Sequence, residues 1–216
     1  MTAPRRSGRM PVPVSALALG ATAFFALPFA GLLAEAPWRS VGDLVTDPAT
    51  RTALRLSLVT SVSATALAIV LGIPLAWWLA RSRVPGRSFV RAMCTVSMVL
   101  PPVVAGVALL AALGRRGLVG GPLHDWFGFS IPFTTVAVVI AETFVAMPFL
   151  VLTVEAALRA VDPGPEDAAR TLGGRPWFVF RRVTAPSIRP AIVSGVALTW
   201  ARALGEFGAT ITFAGS

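Results

Sequence analysis

Residues 133–154 read FTTVAVVIAETFVAMPFLVLTV, an unbroken apolar run with one ionisable side chain, Glu142. A helix of about 20 mostly apolar residues crosses the ~30 Å hydrocarbon core of a bilayer, so this stretch reads as a membrane span. Residues 12–33, 54–80, 92–113 and 188–213 are also long and apolar enough. Over its 216 residues the chain is 55% hydrophobic and 13% charged, roughly half the charged share of an average soluble domain. Too few charges remain to solvate a surface, so most of that surface must meet lipid. The expected fold class is an all-α integral membrane protein: one polytopic helical bundle over residues 1–216, with about five spans.

The charges between the spans set the orientation. The 19 basic residues are all arginine, against 10 acidic residues, for a formal net charge of +9. Arg5, Arg6 and Arg9 precede the first span. Arg81, Arg83, Arg87 and Arg91 fall between the second and third, with no acidic residue among them. Arg159, Arg170, Arg175, Arg181, Arg182 and Arg189 fall between the fourth and fifth. These three regions share one side of the membrane, and the excess of arginine makes that side cytoplasmic. The opposite side carries Arg39, Arg51, Arg55, Arg115 and Arg116, diluted by Glu35, Asp43, Asp47 and Asp125. The expected location is a bacterial cytoplasmic (inner) membrane, multi-pass, with the N-terminus cytoplasmic. The net charge is then a topology signal, and nucleic acid is not an expected partner. The first apolar run is longer than the roughly 7–15 residues of a secretory signal core, and four more spans follow it. It therefore reads as a span rather than a cleaved leader. Trp38 and Trp126 suit anchors near the outer interface.

The same inventory removes most chemistries. Lysine is absent, and no Gly-x-x-x-x-Gly-Lys-Ser/Thr loop occurs, so this chain does not supply that kind of ATP site. One cysteine, Cys94, and one histidine, His124, leave no basis for a cysteine–histidine metal cluster. Cys94 reads as a small buried residue and His124 as a surface one. No nucleophile–base pair stands out. No catalytic, cofactor-binding or metal-binding residue is expected, and the chain by itself is not expected to be an enzyme.

Residues 162–186 read DPGPEDAARTLGGRPWFVFRRVTAP. Pro165 suits the opening of a short helix, and Glu166 and Asp167 complement its positive N-terminus. Ala168, Ala169 and Leu172 form a small smooth face, and Gly173–Gly174 stop the helix. Pro176 restarts a second helix that presents Trp177, Phe180 and Val183 beside Arg181 and Arg182. Two amphipathic helices thus project from the cytoplasmic face. Their faces suit either anionic lipid headgroups or a protein partner.

This loop resembles the EAA loop of ATP-binding-cassette importer permeases, in which Glu-Ala-Ala is followed after three residues by Gly and after nine more by Ile-x-Leu-Pro. The matching positions are Asp167-Ala168-Ala169, Gly173 and Val183-Thr184-Ala185-Pro186. The spacing is preserved, with Asp for Glu, Val for Ile and Ala for Leu. The resemblance implies that residues 155–190 form a cytoplasmic coupling loop, with Asp167, Ala168, Ala169, Gly173 and Pro186 docking on an ATPase. Residues 201–216, ARALGEFGATITFAGS, look like the corresponding segment of molybdate permeases, and residues 100–106, LPPVVAG, look like the same group. The resemblance covers about residues 50–216. It implies a molybdate permease subunit, with sulfate, thiosulfate or tungstate as the alternative cargo. It further implies cytoplasmic ATPase subunits that hold the ATP, an extracytoplasmic oxyanion-binding protein, and a second permease copy as a homodimer. Family members carry a sixth span beyond this point, so a truncated chain ending at Ser216 is expected, with the closing helix missing. The rival from another class is a self-contained secondary transporter or channel, which predicts internal repeats that are not evident here.

Ionisable residues within spans are costly and face a bundle interior or an aqueous cavity. Arg202 and Glu206 lie four apart, so they share a helical face and pair. The pair serves either as a structural salt bridge or as part of a gate or pathway. Glu142 has no partner at helical spacing; it is either protonated or paired with an arginine from another helix. Pro74, Pro101–Pro102 and Pro148 read as kinks that fit helices into the bundle or as breaks lining a pathway. Ala201, Gly205, Gly208 and Ala209 offer small faces for bundle packing or a subunit interface.

Overall fold

Helices α1 (Val12–Glu35), α3 (Pro48–Arg81) and α7 (Thr135–Ala160) form where the apolar sequence runs uninterrupted. At 1.5 Å per residue they are about 36, 51 and 39 Å long, each more than the ~30 Å of bilayer hydrocarbon. These are the three helices among the described residues that are long and apolar enough to cross a membrane. The computed structural model describes residues 11–82 and 84–214. Arg5, Arg6, Arg9, Arg83 and Ser216, which bear on the orientation and ending expected from the sequence, lie outside the described residues.

The chain divides into two units, Met1–Thr52 and Ala53–Ser216. In the first unit, α1 buries none of its residues, and Phe24, Phe25 and Phe29 are each more than two-thirds exposed. An all-round apolar helix of this kind needs lipid or another helix around it. Beyond it, Trp38 Nε1 donates to the Leu33 carbonyl oxygen at 2.7 Å, and the short helix α2 (Val41–Thr46) follows.

The second unit corrects two of the five expected spans. Residues 92–113 are not one helix: α4 (Arg87–Val99) ends before Pro101 and α5 (Pro102–Leu113) begins after it. Each proline lacks an amide hydrogen and drives the residue before it out of the α region. Leu100 and Pro101 are accordingly extended, with ψ of 130° and 136°. A lone proline does not have this effect here, since Pro74 and Pro148 sit inside continuous α3 and α7. Residues 188–213 are also divided, into α11 (Arg189–Leu204) and α12 (Gly208–Phe213). The short helix α6 (Gly120–Phe127) lies between α5 and α7.

Around α7 the unit packs in layers. Leu150, Val151, Val154 and Leu158 of α7 meet Ala68, Ala76 and Leu79 of α3, Cys94 of α4, and Ile188. Toward the other end, Ala137, Ala141 and Val145 meet Ala105 and Leu109 of α5 and Ala209 and Phe213 of α12. Between these layers Ala64, Ala146 and Ala203 bring α3, α7 and α11 together, with Thr143 and Thr199 donating to the Ala64 and Ala146 carbonyl oxygens at 3.4 Å. Small residues let membrane helices approach closely, and one close approach joins the two broken pairs. A β-carbon on Gly106 of α5 would lie 2.6 Å from Thr212 Cβ and 2.9 Å from the Ala209 carbonyl oxygen; one on Gly208 would lie 2.7 Å from Pro102 Cβ. Gly106→Ala is therefore expected to force α5 and α12 apart at a cost of ~1–3 kcal/mol. Thermal unfolding of the detergent-extracted protein reads this as a lowered midpoint. Gly20→Ala in α1, where nothing lies within 4 Å, serves as the unaffected comparison.

Candidate functional site

The segment after α7 folds as a short helix, a left-handed stop and a second helical run. Helix α8 (Gly164–Thr171) opens with a proline in its first turn, followed by Glu166 and Asp167. It closes in a Schellman arrangement: the Gly173 amide donates to the Arg170 carbonyl at 2.9 Å and the Gly174 amide to that of Ala169 at 2.9 Å. Gly173 takes φ of +85°, a conformation that costs other residues roughly 1–2 kcal/mol. The chain then runs through α9 (Pro176–Val179), a π-helical turn (Phe180–Thr184) and α10 (Ala185–Ser187) into α11.

The motif residues fall on the open side of this segment. Asp167, Ala168, Gly173 and Pro186 are exposed and Ala169 is half-buried. The Asp167 carboxylate accepts from Arg170 Nη1 at 3.1 Å. Leu172 is 89% exposed. Ala169, Leu172, Gly173, Gly174, Arg175 and Phe178 line a cavity of about 440 Å³. The expected second face differs in part: Trp177 is exposed, but Phe180 is buried and Val183 half-buried. Phe180 is held between Trp177, at 5.6 Å between ring centroids, and Trp77 of α3, at 5.0 Å.

Two buried carboxylates that the sequence did not single out as site residues cross-link helices here, and one of them, Glu166, holds this segment to α3. Glu166 Oε1 accepts from Arg81 Nη2 at the end of α3 at 2.8 Å, and its Oε2 from Arg170 Nη2 at 3.4 Å. Glu155 of α7 accepts from Arg91 Nε of α4 at 2.9 Å and from Arg159 Nε at 3.0 Å. The hydrogen bond to Glu155 raises the Arg91 pKa above its usual value. Arg159 Nη2 also reaches the Leu79 carbonyl oxygen at 3.4 Å. Arginines that read as an orientation signal thus also cross-link helix ends. The four-residue spacings Glu155–Arg159 and Glu166–Arg170 were visible signals. The partners from α3 and α4, 85 and 64 residues away, were not.

Arg202 and Glu206 form the expected ion pair, although Glu206 stands beyond the end of α11 rather than on it. Glu206 Oε1 accepts the Ala209 amide at 2.7 Å, supplying a partner to one of the free N–H groups at the start of α12. Glu142 is 4% exposed. Its Oε1 accepts from the Thr60 hydroxyl of α3 at 3.0 Å, and its Oε2 has no hydrogen-bond partner among the described residues. The partner is thus a hydroxyl rather than the arginine offered as one alternative. Cys94 is buried, as expected. His124 is half-buried rather than at the surface. Among the described residues no three His, Cys, Asp or Glu side chains are grouped to hold a metal.

Comparison with known proteins places the chain among its relatives. Residues 68–216 match the family described as binding-protein-dependent transport system inner membrane component. The molybdenum transport system permease protein ModB of Mycobacterium tuberculosis is 46% identical over 199 residues, covering 92% of this chain and 75% of that protein. ModB of Escherichia coli is 43% identical over 170 residues, 79% of this chain and 74% of that protein. The Escherichia coli sulfate transport system permease protein CysT is 35% identical over 218 residues, 97% of this chain and 78% of that protein. The chain belongs to the binding-protein-dependent transport system inner membrane components, as a non-catalytic permease of the ModB type.

Proposed function

We propose that this chain is the permease subunit of an ATP-driven importer that carries molybdate across the bacterial cytoplasmic membrane. The observation that carries the cargo assignment is the margin of identity, 46% and 43% to permeases named for molybdenum against 35% to one named for sulfate. Sulfate, thiosulfate and tungstate share the charge of molybdate and a similar tetrahedral shape, so the 35% relative keeps a sulfate-type cargo as the second reading.

In this reading α1, α3 and α7 cross the membrane whole, and α4–α5 and α11–α12 cross as broken helices. Broken helices are tolerated at membrane depth where protein or water satisfies the freed backbone groups, and they recur along transport routes. The arginine-rich regions lie inside, with the N-terminus. Residues 155–190 form the coupling loop of a single transmembrane domain. Asp167, Ala168, Ala169, Gly173 and Pro186 dock on a cytoplasmic ATPase subunit that hydrolyses ATP. Two permease copies enclose the route, and an extracytoplasmic oxyanion-binding protein delivers the cargo and supplies most of the selectivity. Closure of the ATPase pair moves α8, and the spans tilt so that access switches between the two faces. The exposure of Leu172 beside an open cavity supports the docking role.

Arg202, Glu206 and Glu142 act in this scheme by shaping the bundle. A dianion is repelled by an unneutralised carboxylate, and Arg202 is already matched by Glu206. A route binds its cargo weakly enough to release it, so no fixed anion site is needed there. The test is purification of the chain from membranes, followed by ATP-dependent molybdate uptake in vesicles. An ATPase that co-purifies, and uptake that competes with tungstate more strongly than with sulfate, support the reading. Transport without any ATPase would replace it with a secondary transporter or channel. Stronger competition by sulfate would replace the cargo alone.

A further inference from the structure

We propose that Arg81 and Glu166 form a strut that carries the movement of the coupling loop directly into α3. The inference rests on the permease reading above and adds the residues that transmit the motion. The loop motif points to Asp167, yet that side chain faces solvent, 66% exposed. Its neighbour Glu166 is the carboxylate turned inward, 3% exposed, on Arg81 at 2.8 Å.

A buried carboxylate deprived of its partner is expensive, so this contact holds while the loop moves. A second attachment lies one turn earlier on the same face of α3, where Trp77 packs against Phe180 with the ring planes tilted by 38°. The loop therefore grips the end of α3 at both of its helical stretches, α8 through Glu166 and the π-helical turn through Phe180. Displacement of α8 then acts on a rigid helix about 51 Å long, whose inner surface holds Ala64 and Thr60 against α7 and α11. Glu155, with Arg91 and Arg159, binds α4 to α7, and Arg159 Nη2 reaches the Leu79 carbonyl oxygen of α3, so movement of α3 through the strut is passed on to α7. Coupling between distant sites needs a physical element that both sites bias, and α3 with its strut is such an element.

The experiment uses the complete transporter, permease with its ATPase and binding protein, in proteoliposomes, and reads molybdate imported per ATP hydrolysed. Glu166→Gln and Arg81→Gln are each expected to lower that ratio at least about fivefold, the lower end of typical coupling between sites. Arg81→Lys, and the reversed pair Arg81→Glu with Glu166→Arg, are expected to recover it in part. A purely structural role would lower the amount of assembled complex and leave the ratio alone, and that outcome overturns the proposal. Spin labels on cysteines placed at the exposed positions Trp78 of α3 and Pro165 of α8 give a readout that needs no strut variant. Their separation is expected to stay constant through the ATP cycle, and a change of separation between nucleotide states overturns the strut. An unaltered complex with no ATP-dependent uptake would remove the permease reading itself. ATP-dependent uptake with an unchanged ratio in the variants removes only the strut.

Discussion

Gly173→Trp is expected to abolish ATP-driven uptake while the protein still inserts and accumulates in the membrane. The position combines two properties. Its φ of +85° carries a penalty of about 1–2 kcal/mol for an L side chain, a local strain at the end of α8. Yet a β-carbon there meets no atom within 4 Å, so the indole finds room in the isolated chain and does not disrupt the core. The space it takes adjoins the cavity lined by Ala169, Leu172 and Phe178, where the proposed docking brings the ATPase. The variant should therefore fail in assembly or coupling rather than in folding. Gly173→Asn separates strain from bulk, because asparagine tolerates the left-handed conformation and should retain most uptake. Uptake, ATP hydrolysis, co-purification with the ATPase and membrane abundance would be measured together. Normal uptake by the Trp variant would sink the docking role of this loop.

How much of this was legible in the sequence depends on the range of each interaction. The helices α1, α3 and α7 follow from uninterrupted apolar runs, and the loop stop follows from Gly173–Gly174. The break at Pro101–Pro102 was also visible, but two adjacent prolines end a helix where one only bends it, and that difference divides residues 92–113. The division of residues 188–213 falls between Gly205 and Gly208 with no proline to mark it. It arises because Glu206, buried beside Arg202, captures the Ala209 amide and opens a new helix. Only the chain fold brings that carboxylate into a protein interior. The same holds for Glu142, whose partner Thr60 is 82 residues away. Glu166 read as a helix N-terminal charge, which it is, while its pairing with Arg81 depends on how α3 and α8 pack. Short spacings on one helix could be read; contacts across helices could not.

Glu206→Ala is expected to be the most damaging single substitution within the spans, because three consequences fall together. The Glu206 side chain is 1% exposed. Its loss strands the Arg202 guanidinium, frees the Ala209 amide, and loosens the α12 start that packs through Gly208 on Pro102. Breaking a buried pair by removing one partner costs roughly 3–5 kcal/mol, and Arg202, 28% exposed, places this case toward the lower end. Glu206→Gln keeps an oxygen for the Ala209 amide and gives up the charge, so it should cost less than the Ala variant. Arg202→Ala leaves a carboxylate buried without its counter-charge and should also destabilise. If the pair is structural, the double variant Arg202→Ala with Glu206→Ala is less harmful than the sum of the two, since neither charge is left alone. Membrane abundance, the thermal midpoint of the extracted protein, and uptake per molecule would be measured for all four variants. A structural pair shows its loss in the first two readouts and its recovery in the double variant. Should Arg202→Ala instead keep full abundance and midpoint but lose uptake, with no recovery in the double variant, Arg202 guides the anion and the pairing with Glu206 is secondary to that task.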